Sequence, residues 1–544
     1  MPYLPLHLTW RIAGILCGFV VVIAPAGAQP VINPNGIVNS ASYLAPGLPG
    51  SGIAQGSLFI ISGKGLGPAT ATAAPGVFPL PTALAGTSVI ITAGATQTKA
   101  VILYTSDQQV AAILPSTIPV GNANVTVTFE SQTSASATIQ VAASAFGIYT
   151  FNQAGFGQAV ASDTAYRANT IVHTFHPGDL VVLWGTGMGA IASSDSGLPP
   201  TGNLGTAQVY VGTTTATVNY HGRSGCCAGV DQIVFEVPAG VEGCYVPVGV
   251  QAGDAMSNIA TIAVSSTGET CSDSILGADL IAKLASGQTV NFGYLRLEEG
   301  LGGDDAFGTF SQYTPQTAGL AEYGVSSGYC ISCQSGTLAC GYGLSDFSPG
   351  QIDAGPTLTV QGFGRTVTVP KYGPGYYFGT LNGSDGSRYL WGGLNYSMSG
   401  PGGAQIGSFS VAETLNSAAA LIASPASGQS VSLKDDLTVQ WSGGNPNQPN
   451  GFFTIGGLSF ADQAETQFVE FQCTAPVSAT QFTVPAWVLS TLPPSAITHD
   501  GTEAIPLGYI WIGEYDTPTE FQAKGLDRGI ITDMFYLLRV VQYQ

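Results

Sequence analysis

Charged side chains are scarce in this sequence, where Asp, Glu, Lys and Arg together make up 9% of the 544 residues. Basic residues are the rarer kind, with 14 Lys and Arg against 33 Asp and Glu and a formal net charge of −19. Such a surface repels the phosphates of nucleic acids and the headgroups of anionic lipids, which argues against both as partners. The composition instead favours a soluble protein whose acidic side chains are available to cations.

Histidine and amphipathic helices are also scarce, so the sequence lacks the motifs that are typical of common hydrolases. The segment 275–284 is the best candidate for a helix. No Gly-x-Ser-x-Gly elbow leads into a helix, as a serine hydrolase would require. We therefore expect that the protein is not an enzyme and uses no cofactor.

Long apolar runs are missing except near the N-terminus. Arg11 precedes an apolar run at 12–23, and small residues follow up to Ala28. This order is typical of a secretory signal peptide over 1–28, with cleavage after Ala28. The run is shorter than the roughly 20 residues of a membrane-spanning helix. We expect a protein that is secreted or held at the cell surface and is not inserted in the membrane after cleavage.

Nine cysteines are present, and Cys17 belongs to the predicted signal peptide. An even number of cysteines in an exported chain favours disulfides over metal binding. The remaining eight are Cys226, Cys227, Cys244, Cys271, Cys330, Cys333, Cys340 and Cys473. We expect the first two to pair with the next two, in an order that the sequence leaves open. Two of the triplet 330, 333 and 340 should pair locally, leaving one thiol free or joined to Cys473.

A repeat is the main positive feature of the sequence. The segment GSLFIISGKGLG (56–67) aligns with GDLVVLWGTGMG (178–189), and QVAAILP (109–115) aligns with QIVFEVP (232–238). Two copies of about 120 residues indicate tandem domains. A nucleotide-binding loop would need a helix directly after its glycines, but loop sequence follows both runs. The glycines are better explained as positions of positive φ or close backbone approach.

Short strands separated by turn residues fill most of the chain after residue 29. They are rich in Thr, Val, Ile and aromatic residues, often alternate with polar ones, and indicate an all-β fold of antiparallel sandwiches. The predicted divisions are a signal peptide at 1–28, repeat copies at 33–142 and 143–265, a Gly/Tyr-rich β domain at 275–418, and a C-terminal sandwich at 419–544. Trp441 is expected in the core of the last domain.

Four sequence blocks carry a resemblance to a known family. They are GIVNSASY (36–43), GSLFIISGKGLG (56–67), PLPTALAGTSVII (79–91) and GIYTFNQAGFGQAVA (147–161). Over residues 33–265 the chain resembles the Solibacter-type uncharacterised repeat of exported acidobacterial proteins. Its turn-and-glycine core is similar to immunoglobulin-like, plexin and transcription-factor (IPT/TIG) sandwiches. The remainder resembles C-terminal regions of some of the same proteins.

The resemblance implies tandem immunoglobulin-like β-sandwich domains that are exported and have no assigned activity. It offers no catalytic set to carry over to this chain. The two copies differ in their cysteines. The first copy has none at the positions where the second has Cys226, Cys227 and Cys244. Disulfide bracing is therefore expected only in the second copy.

Two histidines, His173 and His176, lie close to Asp179. Side chains three residues apart on a strand point to opposite faces, which is poor geometry for a shared metal ion. A metal site would need a curved loop here. A strand that enters the turn at 177–178 is the simpler interpretation.

Acidic residues gather around glycines in LRLEEGLGGDD, at Glu298, Glu299, Asp304 and Asp305. Four carboxylates on a flexible loop could hold Ca²⁺ through oxygen ligands. Paired carboxylates could also serve a glycoside hydrolase as acid and base. A solvated acidic loop is the alternative, and 381–389 is a second loop of the same kind.

Aromatic residues cluster within 376–396. The members are Tyr376, Tyr377, Phe378, Tyr389, Trp391 and Tyr396. If exposed, Tyr376, Tyr377, Tyr389 and Trp391 could stack on sugar rings, since each has an apolar face and a polar tip. The alternative is that they form the core of this domain.

These patterns together predict an exported, non-enzymatic protein of several β-sandwich domains that acts in surface architecture, adhesion or scaffolding. Its partner would be an extracellular protein or a polysaccharide. The first alternative is a carbohydrate-binding protein that uses the aromatic region 376–396. The second is an extracellular hydrolase that uses the acidic loop 298–305.

Overall fold

The structure, a computed structural model, describes residues 29–300, 303–320, 325–334, 350–416, 420–445, 448 and 451–544. The predicted signal peptide lies outside the described residues. The described residues form 42 strands, two short α-helices and one 3-10 helix, so the prediction of an all-β fold is confirmed. Among them, no helix is both long enough and apolar enough to cross a membrane.

The first repeat copy is a two-layer sandwich. Its strands are β1 (Val31–Asn39), β2 (Ile53–Ala54), β3 (Leu58–Lys64), β4 (Thr72–Ala73), β5 (Thr87–Ala93), β6 (Thr96–Lys99), β7 (Val101–Thr105), β8 (Gln109–Ile113), β9 (Gly121–Phe129), β10 (Gln132–Thr133) and β11 (Ala137–Ala142). One sheet has the order β1-β3-β8-β7-β4, and the other has the order β2-β11-β9-β5-β6 with β10 beside β9.

Alternating burial explains how these sheets pack. Every second side chain of β5 is buried, as expected when one face of a pleated strand meets the core. Phe59 from one sheet and Val89 and Val125 from the other belong to one apolar cluster. Two facing sheets with a shared core form a sandwich.

The second copy repeats this plan. Its strands are β12 (Gly147–Ile148), β13 (Ala161–Ser162), β14 (Leu180–Thr186), β15 (Ala207–Val211), β16 (Thr214–Ala216), β17 (Val218–Arg223), β18 (Asp231–Glu236), β19 (Gly243–Ala252), β20 (Ala255–Met256) and β21 (Ala260–Val264). The sheets have the orders β12-β14-β18-β17 and β16-β15-β19-β20, with β13 beside β14 and β21 beside β19. The repeated sequence segments take equivalent places, because β3 pairs with β8 and β14 pairs with β18.

The rest of the chain forms a larger β assembly. Its elements are α1 (Gly277–Ala285), β22 (Val290–Gly300), β23 (Gly303–Tyr313), the 3-10 helix (Ala318–Leu320), β24 (Cys330–Gln334), β25 (Gly350–Gln351), β26 (Thr357–Gly362), β27 (Arg365–Gly373), β28 (Tyr376–Thr380), β29 (Asn395–Gly400), β30 (Phe409–Thr414), β31 (Leu421–Ser424), β32 (Ser430–Val431), β33 (Leu437–Ser442), β34 (Phe452–Phe460), β35 (Phe468–Pro476), β36 (Gln481–Val484), α2 (Ala486–Leu489), β37 (Ile497–Asp500), β38 (Glu503–Pro506), β39 (Gly508–Tyr515), β40 (Thr519–Phe521), β41 (Arg528–Val540) and β42 (Gln542–Tyr543).

A single sheet of 14 strands crosses the boundary predicted at residues 418 and 419. Its main order is β24-β35-β34-β39-β41-β22-β23-β28-β27-β26-β29-β30. The strands β22 and β41 pair in parallel, from Phe292 opposite Arg528 to Gly300 opposite Tyr536. Most side chains of β22 are buried, so both faces of the sheet are covered at this strand, and β23 and β41 pair with its two edges. The regions 275–418 and 419–544 therefore share one sheet, and the predicted division between them is wrong.

Two local predictions for this part are confirmed. The helix predicted at 275–284 is α1, which buries Leu280, Ile281 and Leu284. Trp441 is buried in an apolar cluster, with its ring centroid 5.1 Å from that of Phe453.

Candidate functional site

The glycine run of the second copy lies against the segment that connects the two copies. A Cβ atom on Gly185 would stand 2.2 Å from the Gly147 carbonyl oxygen, and one on Gly187 would stand 2.1 Å from the Ala145 oxygen. Gly187 also has a φ of 117°, a conformation that favours glycine. The Ala145 amide donates to the Gly187 carbonyl at 3.0 Å. The predicted role of these glycines in close backbone approach is confirmed.

A buried ion pair holds the end of this glycine run. Asp231, the first residue of β18, accepts the amides of Gly187 at 2.7 Å and Met188 at 2.8 Å. Its cross-strand neighbour on β17, Arg223, forms a salt bridge with it. Only 2% of Arg223 and 0% of Asp231 is exposed. Burial raises the pKa of Asp231, and the Arg223 guanidinium acts in the opposite direction.

The guanidinium of Arg223 also connects the two copies. Its Nη2 donates to the Gly56 carbonyl at 2.9 Å and to the Gly189 carbonyl at 2.7 Å. Gly56 precedes β3 in the first copy and has a φ of 71°. A Cβ atom at Gly56 would stand 2.2 Å from Nη2, so glycine is required for this approach. One side chain therefore bonds both glycine segments of the repeat.

Thr186 and Asn39 extend the contact between the copies. The Leu58 amide donates to Oγ1 of Thr186 at 2.9 Å, and the Thr186 hydroxyl donates to the Gly229 carbonyl at 2.6 Å. Nδ2 of Asn39 donates to the carbonyls of Ala145 at 3.2 Å and Thr186 at 3.3 Å. Both side chains are buried, so these bonds form away from water.

A third polar contact lies beside the ion pair. The amide and hydroxyl of Ser116 donate to the Asp195 carboxylate at 2.7 and 2.6 Å. The Ile191 amide donates to the Ser116 oxygen at 3.0 Å. Apolar residues from both copies, among them Leu58 and Ala228, cluster nearby. The resulting polar set, called the joint below, comprises Asn39, Gly56, Leu58, Ser116, Thr186, Gly187, Gly189, Asp195, Arg223 and Asp231.

The joint is suited to holding two domains in one orientation. Arg223 and Asp231 are paired with each other, the Asp195 carboxylate accepts two hydrogen bonds from Ser116, and the polar atoms bond to groups of the chain itself, as buried polar groups generally do. Sequence analysis missed Arg223 and Asp231. A signal was available, since charge is rare in this chain and Asp231 begins a largely apolar strand.

The acidic residues predicted as a flexible loop lie instead in two paired strands. Glu298 stands opposite Asp305, and Glu299 stands opposite Asp304, in the antiparallel pair of β22 and β23. Opposite residues share a face, and neighbours along a strand point to opposite faces. The loop prediction is wrong because the turn is confined to the end of this long hairpin. The four carboxylates are divided between two faces of the sheet.

Arginines contact the carboxylates on both faces. Arg388 Nη2 lies 2.9 Å from Glu299 and 3.0 Å from Asp304, while Arg296 Nη2 lies 3.0 Å from Glu298. Burial is the main factor that raises the pKa of Glu299, and the same holds for Asp305. Across the described residues, no three His, Cys, Asp or Glu side chains are grouped so as to hold a metal ion. The four carboxylates therefore do not lie together on one loop, and three of them contact arginines.

The aromatic residues predicted to stack on sugars are mostly in the core. Tyr376, Tyr377 and Tyr389 are buried, and the Tyr377 hydroxyl donates to the Gly355 carbonyl at 2.6 Å. Trp391 is exposed over 47% of its surface and lies beside the Arg388 guanidinium. The four residues therefore do not form a binding surface. For the three tyrosines the alternative of a core position is confirmed.

The two histidines contact different partners. Nδ1 of His173 lies 2.8 Å from Glu269, and Nδ1 of His176 lies 3.2 Å from Asp179. These separate contacts give no support to a shared metal site at His173, His176 and Asp179.

The disulfides of the second copy differ from the prediction. Cys226 and Cys227 are bonded to each other in an exposed turn. Cys244 and Cys271 are buried and bonded together, with Cα atoms 5.3 Å apart. The predicted cross-pairing is wrong because each of these cysteines is already bonded within its own pair, and the Cα separation of Cys244 and Cys271 suits a disulfide.

A further disulfide joins Cys330 on β24 to Cys473 on β35, which is one of the two predicted alternatives. Cys333 is also disulfide-bonded. Cys340 lies outside the described residues.

Comparison with known proteins identifies no family. No protein-family model matches the chain, and no curated protein matches it by sequence. The resemblance to the Solibacter-type repeat therefore stays a prediction. Two solved structures that match are of an S-layer protein and an immunoglobulin-domain protein, and both similarities are weak.

Domains 4–9 of the surface layer protein SbsC match with 10% identity and a TM-score of 0.18, over 92% of this chain and 83% of that one. The N-terminal four immunoglobulin domains of Dscam1 match with 9% identity and a TM-score of 0.12, over 95% of this chain and 100% of that one. Similarities at this level do not indicate a function, and the description of the fold rests on the strand pairing given above.

Proposed function

We propose that the protein is an exported, non-enzymatic structural component of the cell surface, in which tandem β domains form a stiff spacer or scaffold. The joint is the observation that carries this proposal. Arg223 and Asn39 donate hydrogen bonds from one copy to the other, and Thr186 accepts one from the first copy, whereas flexibly linked domains share few contacts. A partner at the surface would be another extracellular protein or a polysaccharide.

Two further features support export. The N-terminal 28 residues have the pattern of a signal peptide. Disulfides such as Cys244–Cys271 and Cys330–Cys473 persist in oxidising compartments outside the cytosol. The two alternatives from the sequence have less support, because the tyrosines of 376–396 are buried and arginines contact Glu298, Glu299 and Asp304.

The proposal is tested by expressing the complete chain with its leader in a bacterial host. We expect surface labelling of intact cells, a mature N-terminus at Gln29 by mass spectrometry, and an oxidised Cys244–Cys271 pair. A cytoplasmic chain with an intact leader and reduced cysteines would contradict export. Turnover of glycoside substrates that is lost in Glu299→Gln would contradict the non-enzymatic role.

A further inference from the structure

A groove of about 460 Å³ opens beside the joint, between the first and second copies. This volume lies in the range of roughly 300–1,000 Å³ that is usual for small-ligand sites. The segments 36–43 and 147–161, which stand out in the sequence, both line it. The first provides Tyr43, and the second provides Tyr149 and Phe151.

The groove offers aromatic faces to solvent. Tyr43, Tyr149 and Trp184 are half-buried, and Phe151 is 39% exposed. Tyr166 extends this surface, since its ring centroid lies 6.3 Å from that of Trp184 and 68% of the residue is exposed. These rings are accessible to a ligand, whereas the tyrosines of 376–389 are buried.

Polar groups without charge complete the lining. Ser40, Thr150 and Gln153 lie among the aromatic residues, and none of the described residues that line the groove is charged. The Ser40 hydroxyl lies 2.9 Å from the Tyr149 hydroxyl. Burial raises the pKa of both Tyr43 and Tyr149, so their hydroxyls remain neutral at physiological pH. A ligand that fits this lining is uncharged, with apolar faces and hydroxyl groups.

The backbone around the groove is held in an uncommon conformation. Tyr43, Gln153 and Tyr166 have φ values of 54°, 54° and 62°. Residues other than glycine adopt this left-handed conformation only at a cost in free energy, and such residues concentrate at binding and catalytic sites. At the groove, this conformation is found in two tyrosines and one glutamine.

From these observations we infer that the groove is a binding site for a short chain of neutral sugar units. A pyranose ring has a face of C–H groups that packs on Tyr, Trp and Phe, and hydroxyls that hydrogen-bond to Ser, Thr, Gln and Tyr. An anionic sugar would find no cation in the described lining. This site is separate from the buried aromatic cluster of 376–396 and adds a ligand to the structural role proposed above.

The test uses the mature chain 29–544 in calorimetric titrations with cellohexaose, xylohexaose, mannohexaose and maltohexaose. We expect at least one of these neutral hexasaccharides to bind saturably. Phe151→Ala and Tyr166→Ala should each raise its Kd about tenfold, since each removes one exposed ring. Both residues are partly or largely exposed, so the variants should fold, which circular dichroism and thermal unfolding verify.

Trp391→Ala serves as the matched control, because it removes an exposed aromatic ring from another part of the chain. Its Kd should equal that of the unmodified protein. The inference would be overturned by the absence of saturable binding to all four sugars. It would also be overturned if Trp391→Ala weakened sugar binding as much as Phe151→Ala or Tyr166→Ala does. Binding of oligogalacturonate with a lower Kd than the neutral sugars, or displacement of the sugar by a leucine-rich peptide, would overturn it as well. None of these outcomes would change the proposed structural role, which depends on the joint.

Discussion

Replacing Arg223 by Met removes a charged group that bonds to both copies of the repeat. Met replaces the apolar stem of the arginine and ends near the position of Nε, so the main loss is the guanidinium. The Asp231 carboxylate would remain buried without its cation, and the carbonyls of Gly56 and Gly189 would lose their donor. The perturbation therefore acts on the joint itself.

Removing one partner of a buried ion pair typically costs about 3–5 kcal/mol, because the other charge stays buried. We expect Arg223→Met to lower the free energy of unfolding by this amount. Protonation limits the loss, since burial already raises the pKa of Asp231. In Arg223→Met/Asp231→Asn no charge is left behind, and the amides of Gly187 and Met188 keep an oxygen acceptor. The double variant should recover about 1–3 kcal/mol.

The assay is urea unfolding of the mature chain, combined with hydrogen exchange of peptides from 56–67 and 178–189. Both segments should lose protection together, because one guanidinium bonds to both. Arg167→Met is the matched control: Arg167 pairs with Asp163 in the same copy, but 65% of its side chain is exposed. An exposed pair of this kind contributes about 1 kcal/mol or less.

Two results would refute this reasoning about the joint. One is a loss of stability in Arg223→Met no larger than that in Arg167→Met. The other is a loss of protection confined to the second copy, which would mean that the contact with Gly56 has no energetic role.

Three other predictions concern backbone, pH and cross-links. Gly187→Ala should cost about 2 kcal/mol or more of stability, and Gly202→Ala, at a similar φ of 124° with open space, should cost less in the same urea assay. Burial raises the pKa of Asp533 to about 8, so the folded chain holds a proton that the unfolded chain has lost. Stability should then fall as pH rises from about 4 to 8, and Asp533→Asn should flatten that slope in thermal unfolding. Replacing Cys244 and Cys271 by Ala should cost about 3 kcal/mol, because the bond closes a loop with a sequence separation of 27.

Each of these has a clear contrary outcome. If Gly187→Ala and Gly202→Ala lower the free energy of unfolding equally, the close contact of Gly187 with the connecting segment does not contribute to stability. If Asp533→Asn leaves the dependence of stability on pH unchanged, that dependence arises from other titratable groups. A double variant of Cys244 and Cys271 with the stability of the unmodified protein would mean that this disulfide does not constrain the unfolded chain.

Features set by neighbouring residues could be predicted from the sequence. The alternation in 87–93 indicates a strand with one buried face, and the spacing in 275–284 indicates a helix. The aligned glycine runs identify the repeat, since close backbone approach requires glycine at positions such as Gly187 in any context. These local patterns were sufficient for the all-β fold.

Features set by distant pairing could not be predicted. The glycines of LRLEEGLGGDD suggest a loop, but β41, more than 200 residues later, pairs with β22 and holds its acidic end in a sheet. Burial of Tyr377 and Tyr389 likewise depends on which face of that sheet is covered. The bond between Cys226 and Cys227 depends on a turn that keeps both away from Cys244.

The joint was missed for the same reason. Arg223 and Asp231 are eight residues apart in the chain, and only the pairing of β17 with β18 places them opposite each other. The hydrogen bond from Arg223 to Gly56 spans 167 residues. Sequence patterns identified the glycines on both sides but not the side chain that joins them.

The central claim is that the joint fixes the orientation of the two copies. Pulsed dipolar spectroscopy tests it most directly, with spin labels on non-canonical residues at Ala95 and Thr213, the exposed turns of hairpins β5–β6 and β15–β16. We expect one narrow distance distribution in the chain 29–544 and a broad one in its Arg223→Met variant. A broad distribution in the unmodified chain, or a narrow one that Arg223→Met leaves unchanged, would contradict it.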